Sequence, residues 1–113
     1  MKLGILVQGD VTVLTCSGEF GVDAAPKFSE TIASVLTDQR RDLLVDLGGV
    51  TKIDSAGLEV LTAAHRWCEE RLGMVRICGA DATLQKIFEM TRLDKMLTLC
   101  DSREEAMSGF SQV

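Results

Sequence analysis

The chain predicts an α/β fold: a single domain over residues 1–113, with a mixed central sheet of about five strands and packed helices in the order β-β-α-β-α-β-α-β-α. Three observations carry this. Short apolar runs alternate with stretches whose apolar residues recur at three- and four-residue steps, the signature of strands interleaved with amphipathic helices. Only Gly9-Asp10 separates the first two apolar runs, so the sheet opens with an antiparallel hairpin, and the later strands, each reached through a helix, run parallel. Finally, 113 residues with 46% hydrophobic content and one proline describe an ordered protein. A chain of that length buries roughly 65% of its unfolded surface.

Each element has its own signal. Leu3, Ile5 and Val7 alternate with Gly4 and Leu6; Val11, Val13 and Thr15 alternate with Thr12, Leu14 and Cys16. Gly18-Glu19-Phe20-Gly21 reads as a loop. Asp23 is expected to cap a first helix whose opening turn tolerates Pro26, with Ala25, Phe28, Ile32, Val35 and Leu36 on its apolar face. The polar run Thr37 to Arg41 ends it, and its basic doublet Arg40-Arg41 marks a solvated loop. Residues 43–47 form a strand apolar on both faces, hence central and covered, and a loop follows. A second helix runs from about Ser55 to Leu72, with Leu58, Leu61, His65, Cys68 and Leu72 on one stripe and Gly73 as its stop.

Met74 to Cys78 is the next strand. A third helix starts near Asp81 and turns Leu84, Ile87, Phe88 and Thr91 inward. Leu97 to Cys100 reads as the last strand, and Ser102-Arg103-Glu104-Glu105 opens a short terminal helix with a capping-box pattern. Gly109 to Val113 is expected to fray. No exposed apolar stripe asks for a dimer.

Composition excludes several functions. A net charge of −5 argues against nucleic acid, which calls for a basic stripe. The longest apolar run near the start, Leu3 to Val7, is shorter than the roughly 7 residues of a signal-peptide core and far shorter than the roughly 20 of a membrane span. A soluble, cytoplasmic protein without membrane insertion is expected. Cys16, Cys68, Cys78 and Cys100 show no Cys-x-x-Cys spacing and read as reduced, buried thiols acting as small hydrophobes. One histidine and scattered carboxylates suggest no metal site, and no cofactor is expected. Gly48-Gly49 followed by Val50-Thr51-Lys52 lacks the order of a phosphate-binding loop.

The informative stretch is Asp42 to Leu58, which sets Ser55 at the start of a helix. There, unpaired N–H groups and the positive end of the helix dipole favour negative charge. Three readings of Ser55 compete. It can be simply an N-cap. It can be a hydrolase nucleophile, but the Gly-x-Ser-x-Gly pattern is half missing, since Ile53 stands where a glycine belongs. The one histidine, His65, sits ten residues along the same helix. At about 1.5 Å per residue it is roughly 15 Å away, whereas a base must come within about 3 Å. The hydrolase reading fails, and with no base, metal cluster or phosphate loop beside the serine the chain is not read as an enzyme. The third reading is phosphate acceptance from a partner kinase.

That third reading gains from a resemblance. The chain resembles the STAS domains, specifically the bacterial anti-sigma factor antagonists. The likeness runs through Leu14-Thr15-Cys16-Ser17-Gly18-Glu19-Phe20, Asp46-Leu47, Ile53-Asp54-Ser55-Ala56-Gly57-Leu58, Gly79, Leu84-Gln85-Lys86-Ile87-Phe88 and Thr91-Arg92-Leu93. It implies a STAS-type domain in which Ser55 is phosphorylated by an anti-sigma factor that is also a serine kinase, and dephosphorylated by a separate phosphoserine phosphatase. The unphosphorylated protein would dock on the anti-sigma factor and free a sigma factor for transcription. The partner-binding surface implied is Glu19, Gly21, Asp23, Asp54, Ser55, Ala56, Gly57 and Leu58. One departure stands out: family members often carry an acid after the Gly-Glu-hydrophobe step, and here that position is Gly21, with Asp23 two residues on. The resemblance also admits a non-switching role, as an adaptor subunit of a transporter or a larger signalling complex. Small transporter-associated relatives often lack the serine.

Overall fold

In a computed structural model, which describes residues 1–110, one five-stranded sheet carries the strands in sequence order, β1-β2-β3-β4-β5. Strands β1 (Lys2–Gln8) and β2 (Val11–Phe20) form the expected hairpin, with Gln8 opposite Val11. Gly9 alone of the two turn residues has positive φ, +63°, the backbone that glycine adopts without a steric penalty. Thereafter β2 pairs parallel with β3 (Asp42–Ile53), β3 with β4 (Val75–Cys78), and β4 with β5 (Thr98–Cys100). Helices α1 (Ala25–Val35), α2 (Ser55–Glu70) and α3 (Ala82–Met90) make the crossovers, and α4 (Arg103–Ser108) closes the described chain.

The two faces of the sheet are unequal. On one, Leu14, Leu43, Val45, Leu47 and Ile77 pack with Phe28 and Ile32 of α1, Leu61 and Cys68 of α2, and Leu84 and Phe88 of α3. Strand β3 is central and covered, as its apolar run requires. On the other face a smaller cluster of Val11, Val13, Leu44, Cys78 and Ala106 is covered by α4, Met107 and Phe110. Beyond it the pleat turns Thr15 and Asp46 outward, where Arg103 of α4 binds both: its Nη2 lies 2.7 Å from Asp46 Oδ2 and 3.3 Å from Thr15 Oγ1.

Several expectations need correction. Of the stretch read as a loop at residues 18–21, Gly18, Glu19 and Phe20 are the end of β2 and only Gly21 lies beyond it: Phe20 is fully buried and pairs with Ile53. By the same pairing β3 does not stop at Leu47 but continues through Gly48-Gly49 to Ile53, with register shifts near Ser17 and Gly18. Asp23 caps nothing. The N-cap of α1 is Ala24, without a side-chain bond, and the Gly21 carbonyl accepts from the Ala24 and Ala25 amides.

Helix α2 ends at Glu70, and Leu72 leaves its stripe, 85% exposed with φ +63°. Gly73 is needed for space: a Cβ there would collide with the Arg41 carbonyl. Thr91 faces outward as the C-cap of α3, and Cys100 is only half-buried. Of the stretch expected to fray, Gly109 and Phe110 pack against Arg76; residues 111–113 lie outside the described residues. The edge strand β1 exposes Ile5, Leu6 and Val7, an apolar strip that the alternation pattern hid by marking half of it as inward-facing.

Candidate functional site at the start of helix α2

The site forms where the ends of β2 and β3 meet the first turn of α2. Asp54, in extended backbone, is the N-cap, so Ser55 is the first helical residue and not the cap. The Asp54 carboxylate accepts three amides: Oδ1 from Ala56 at 2.9 Å and Gly57 at 3.1 Å, and Oδ2 from Val22 at 3.3 Å. Two of these satisfy first-turn donors that no helical carbonyl can reach. The third fastens the β2–α1 loop to the helix start. The Asp54 amide in turn donates to the Phe20 carbonyl, 3.2 Å away.

Close packing locks this corner. Gly57 is buried, and a Cβ on it would collide with the Phe20 carbonyl and stand 2.8 Å from Ile53 Cγ1. Gly21 is less tightly held: a Cβ there would lie 2.8 Å from Asp54 Oδ2, the end of a side chain and not backbone. A side chain at position 21, above all an acid, would press on the carboxylate that holds the Val22 amide.

Ser55 itself is exposed, and its hydroxyl makes no hydrogen bond among the described residues. It borders a groove of about 450 Å³ between α2 and the turn after α3, lined also by Leu58, Glu59, Thr62, Ala63, Arg66, Thr91 and Leu93. On the other side of Asp54 lies a second depression, bordered by Glu19, Gly21, Asp23 and Lys27, with Lys52 on an adjoining one. The structure thus brings together Glu19, Gly21, Asp23, Asp54, Ser55 and Leu58 at one end of the sheet. Ala56 is half-buried beside them, and Gly57 lies beneath as a packing residue.

Sequence reasoning missed the length of the groove. Ser55, Glu59, Thr62 and Arg66 recur at steps of four, three and four, a polar stripe beside the apolar one that was legible in principle. His65 is half-buried and faces Glu69 at 3.4 Å, away from any role with Ser55. No cluster of three or more metal-ligating side chains exists among the described residues, and none of their helices is long and apolar enough to cross a membrane.

Comparison with known proteins identifies the family. Residues 5–99 match the family model described as Mlab, STAS domain. The chain belongs to the STAS domain family. It is 28% identical over 99 residues to the anti-sigma-F factor antagonist RsfB of Mycobacterium tuberculosis, an alignment spanning 88% of this chain and 80% of that protein. The crystal structure of an anti-sigma factor antagonist from Mycobacterium paratuberculosis superposes with a TM-score of 0.88 at 23% identity, over 98% of this chain and 94% of the other. A sulfate transporter family protein from Wolinella succinogenes shares the fold, with a TM-score of 0.79 at 18% identity, over 92% and 87% of the two chains.

Proposed function

We propose that this protein is a phosphorylation-controlled binding protein whose unphosphorylated form docks on an anti-sigma factor with serine kinase activity and so releases a sigma factor. Phosphate on Ser55 would block that docking, and a phosphoserine phosphatase would restore it. The observation that carries the reading is the division of labour between Asp54 and Ser55. Asp54 supplies all the capping bonds, which leaves the neighbouring hydroxyl exposed and without structural duty. The likeness to RsfB supplies the class of partner.

The switch follows from electrostatics. A phosphate adds about −1.5 to −2 charge. At the first position of a helix the dipole favours it by about 0.3–1 kcal/mol, so the fold tolerates the modification. A docked partner must desolvate that charge, at a cost of several kcal/mol if no cation answers it. Since about 1.4 kcal/mol is a factor of ten, the complex would be lost. Asp54 adds like-charge repulsion at the same surface.

The test is to incubate the protein with ATP and the serine kinase of the anti-sigma type from the same organism, then map the modified residue by mass spectrometry. Phosphate confined to Ser55, and absent from Ser55→Ala, supports the reading; modification elsewhere or nowhere refutes it. A second reading, a non-switching adaptor on a transporter ATPase, is favoured by the fold's occurrence in a sulfate transporter family protein. Co-purification with a transporter ATPase, unaffected by Ser55→Asp, would select it.

A further inference from the structure

Away from Ser55, the rear face of the sheet holds two cysteines that the proposed switch does not use. Cys78 and Cys100 are register partners on the adjacent parallel strands β4 and β5. Directly paired residues on parallel strands point to the same face; Cys78 belongs to the small cluster under α4, and Cys100 packs against it. Neighbouring strands lie about 4.8 Å apart, within the Cα separation of about 4.4–6.8 Å that a disulfide spans.

The two thiols differ in surroundings. Cys78 is buried, and burial, followed by the Asp46 carboxylate, pushes its thiol up to about 11. Cys100 is half-exposed on a three-residue edge strand. Arg76 Nη1 stands 3.6 Å from its sulfur, and the same guanidinium carries a buried Nε with no hydrogen-bond partner among the described residues. A cation therefore sits beside the sulfur of the less buried cysteine, and the same guanidinium carries an unanswered donor. Both suit an oxygen atom added to that sulfur.

We infer that Cys100 and Cys78 form a peroxide-responsive thiol pair, Cys100 attacking and Cys78 resolving. The Cys100 sulfur attacks one oxygen of a hydroperoxide; an S–O bond forms, the O–O bond breaks, and the departing oxygen leaves as an alcohol or water after taking a proton. The Cys78 sulfur then attacks the Cys100 sulfenic acid. An S–S bond forms, the S–O bond breaks, and hydroxide leaves as water with the Cys78 proton. Two thiols lose two electrons and two protons, and one hydroperoxide is reduced to alcohol and water. The high pKa of Cys78 makes the second step the slower one. The closed loop spans residues 79–99, which carry α3 and the Thr91 and Leu93 wall of the groove beside Ser55. The inference is independent of whether Ser55 is phosphorylated.

Titration of the full-length chain with hydrogen peroxide, followed by peptide mapping without reductant, tests this. A Cys78–Cys100 linked peptide is expected, with Cys16 and Cys68, both buried and raised to about 12, left reduced. In Cys78→Ser, or Cys78→Ala should the first prove unstable, dimedone should capture Cys100 as the sulfenic acid. In Cys100→Ser no thiol should react at the same dose. Arg76→Met should slow capture several-fold. Hydrogen exchange over residues 79–99 should slow on oxidation of the parent chain. Disulfides to Cys16 or Cys68, links only between molecules, or a Cys100 that reacts only on unfolding would overturn the proposal.

Discussion

Helices α2 and α4 both begin beside a serine, and only one of them uses it. At α4 Ser102 is the cap, its Oγ accepting from the Glu105 amide at 3.1 Å. At α2 the cap is Asp54, and Ser55 sits one residue inside with its hydroxyl unengaged. The one-residue difference separates a serine that holds the fold from a serine that the fold leaves free. Asp81 shows that the aspartate solution is not peculiar to α2, since it caps α3 by accepting from Leu84 at 2.8 Å. There the following residue is Ala82, and nothing reactive is displayed.

Mutations can break or sharpen this contrast. The largest effect is expected at Gly57→Ala. Alanine in an ordinary helix position gains up to about 1 kcal/mol over glycine, but here a Cβ strikes the Phe20 carbonyl. A loss toward the upper part of about 1–3 kcal/mol is expected for such overpacking, read as a lower urea midpoint. Next is Gly21→Asp, which sets a second carboxylate on Asp54 and competes for the Val22 amide; its loss should also fall within about 1–3 kcal/mol and diminish in high salt. Asp54→Ala removes three accepted amides and should cost about 1–2 kcal/mol. Ser102→Ala should cost about 0.5–1 kcal/mol. Ser55→Ala comes last, within about 0.5 kcal/mol of the parent. Equal losses for the two serine variants in thermal denaturation would erase the distinction.

How much of this was legible in the sequence depended on range. Some features fixed by neighbours a few residues apart read correctly: the Gly9-Asp10 hairpin, the start of α3 near Asp81 and the Ser102 cap, though the Glu105 carboxylate accepts from the Asp101 amide and so leaves the capping box half made. The order of strands and helices was legible because hydrophobic period reports it directly. Features fixed by distant partners did not read. The ends of β2 and β3 contain Gly18, Glu19, Gly48, Gly49 and Lys52, residues with poor strand propensity that are extended only because the two segments pair. The same long-range pairing brings Phe20 onto Gly57 and Gly21 onto Asp54. Thus Ser55 was found as a residue, while the reason it is free was not. That reason lies in an aspartate whose third bond reaches back 32 positions to Val22.

The distal wall of the groove was hidden for a related cause. Thr91 and Leu93 reach it through the turn after α3, where Arg92 takes a left-handed backbone, φ +64°, that no residue pattern announces. Leu72 is similar: its place on the apolar stripe implied burial, yet the helix ends two residues earlier and turns it to solvent.

The central claim is that charge can be added at Ser55 without disturbing the packing below. The most direct measurement is a thermal melt of the protein phosphorylated stoichiometrically on Ser55, run beside the unmodified chain. Asp54, Gly57 and Phe20 keep their contacts in this account, so the two midpoints should agree to within the few degrees that about 1 kcal/mol represents for a chain of this size. A midpoint lowered far beyond that, with loss of native circular dichroism, would mean that the hydroxyl is part of the fold after all.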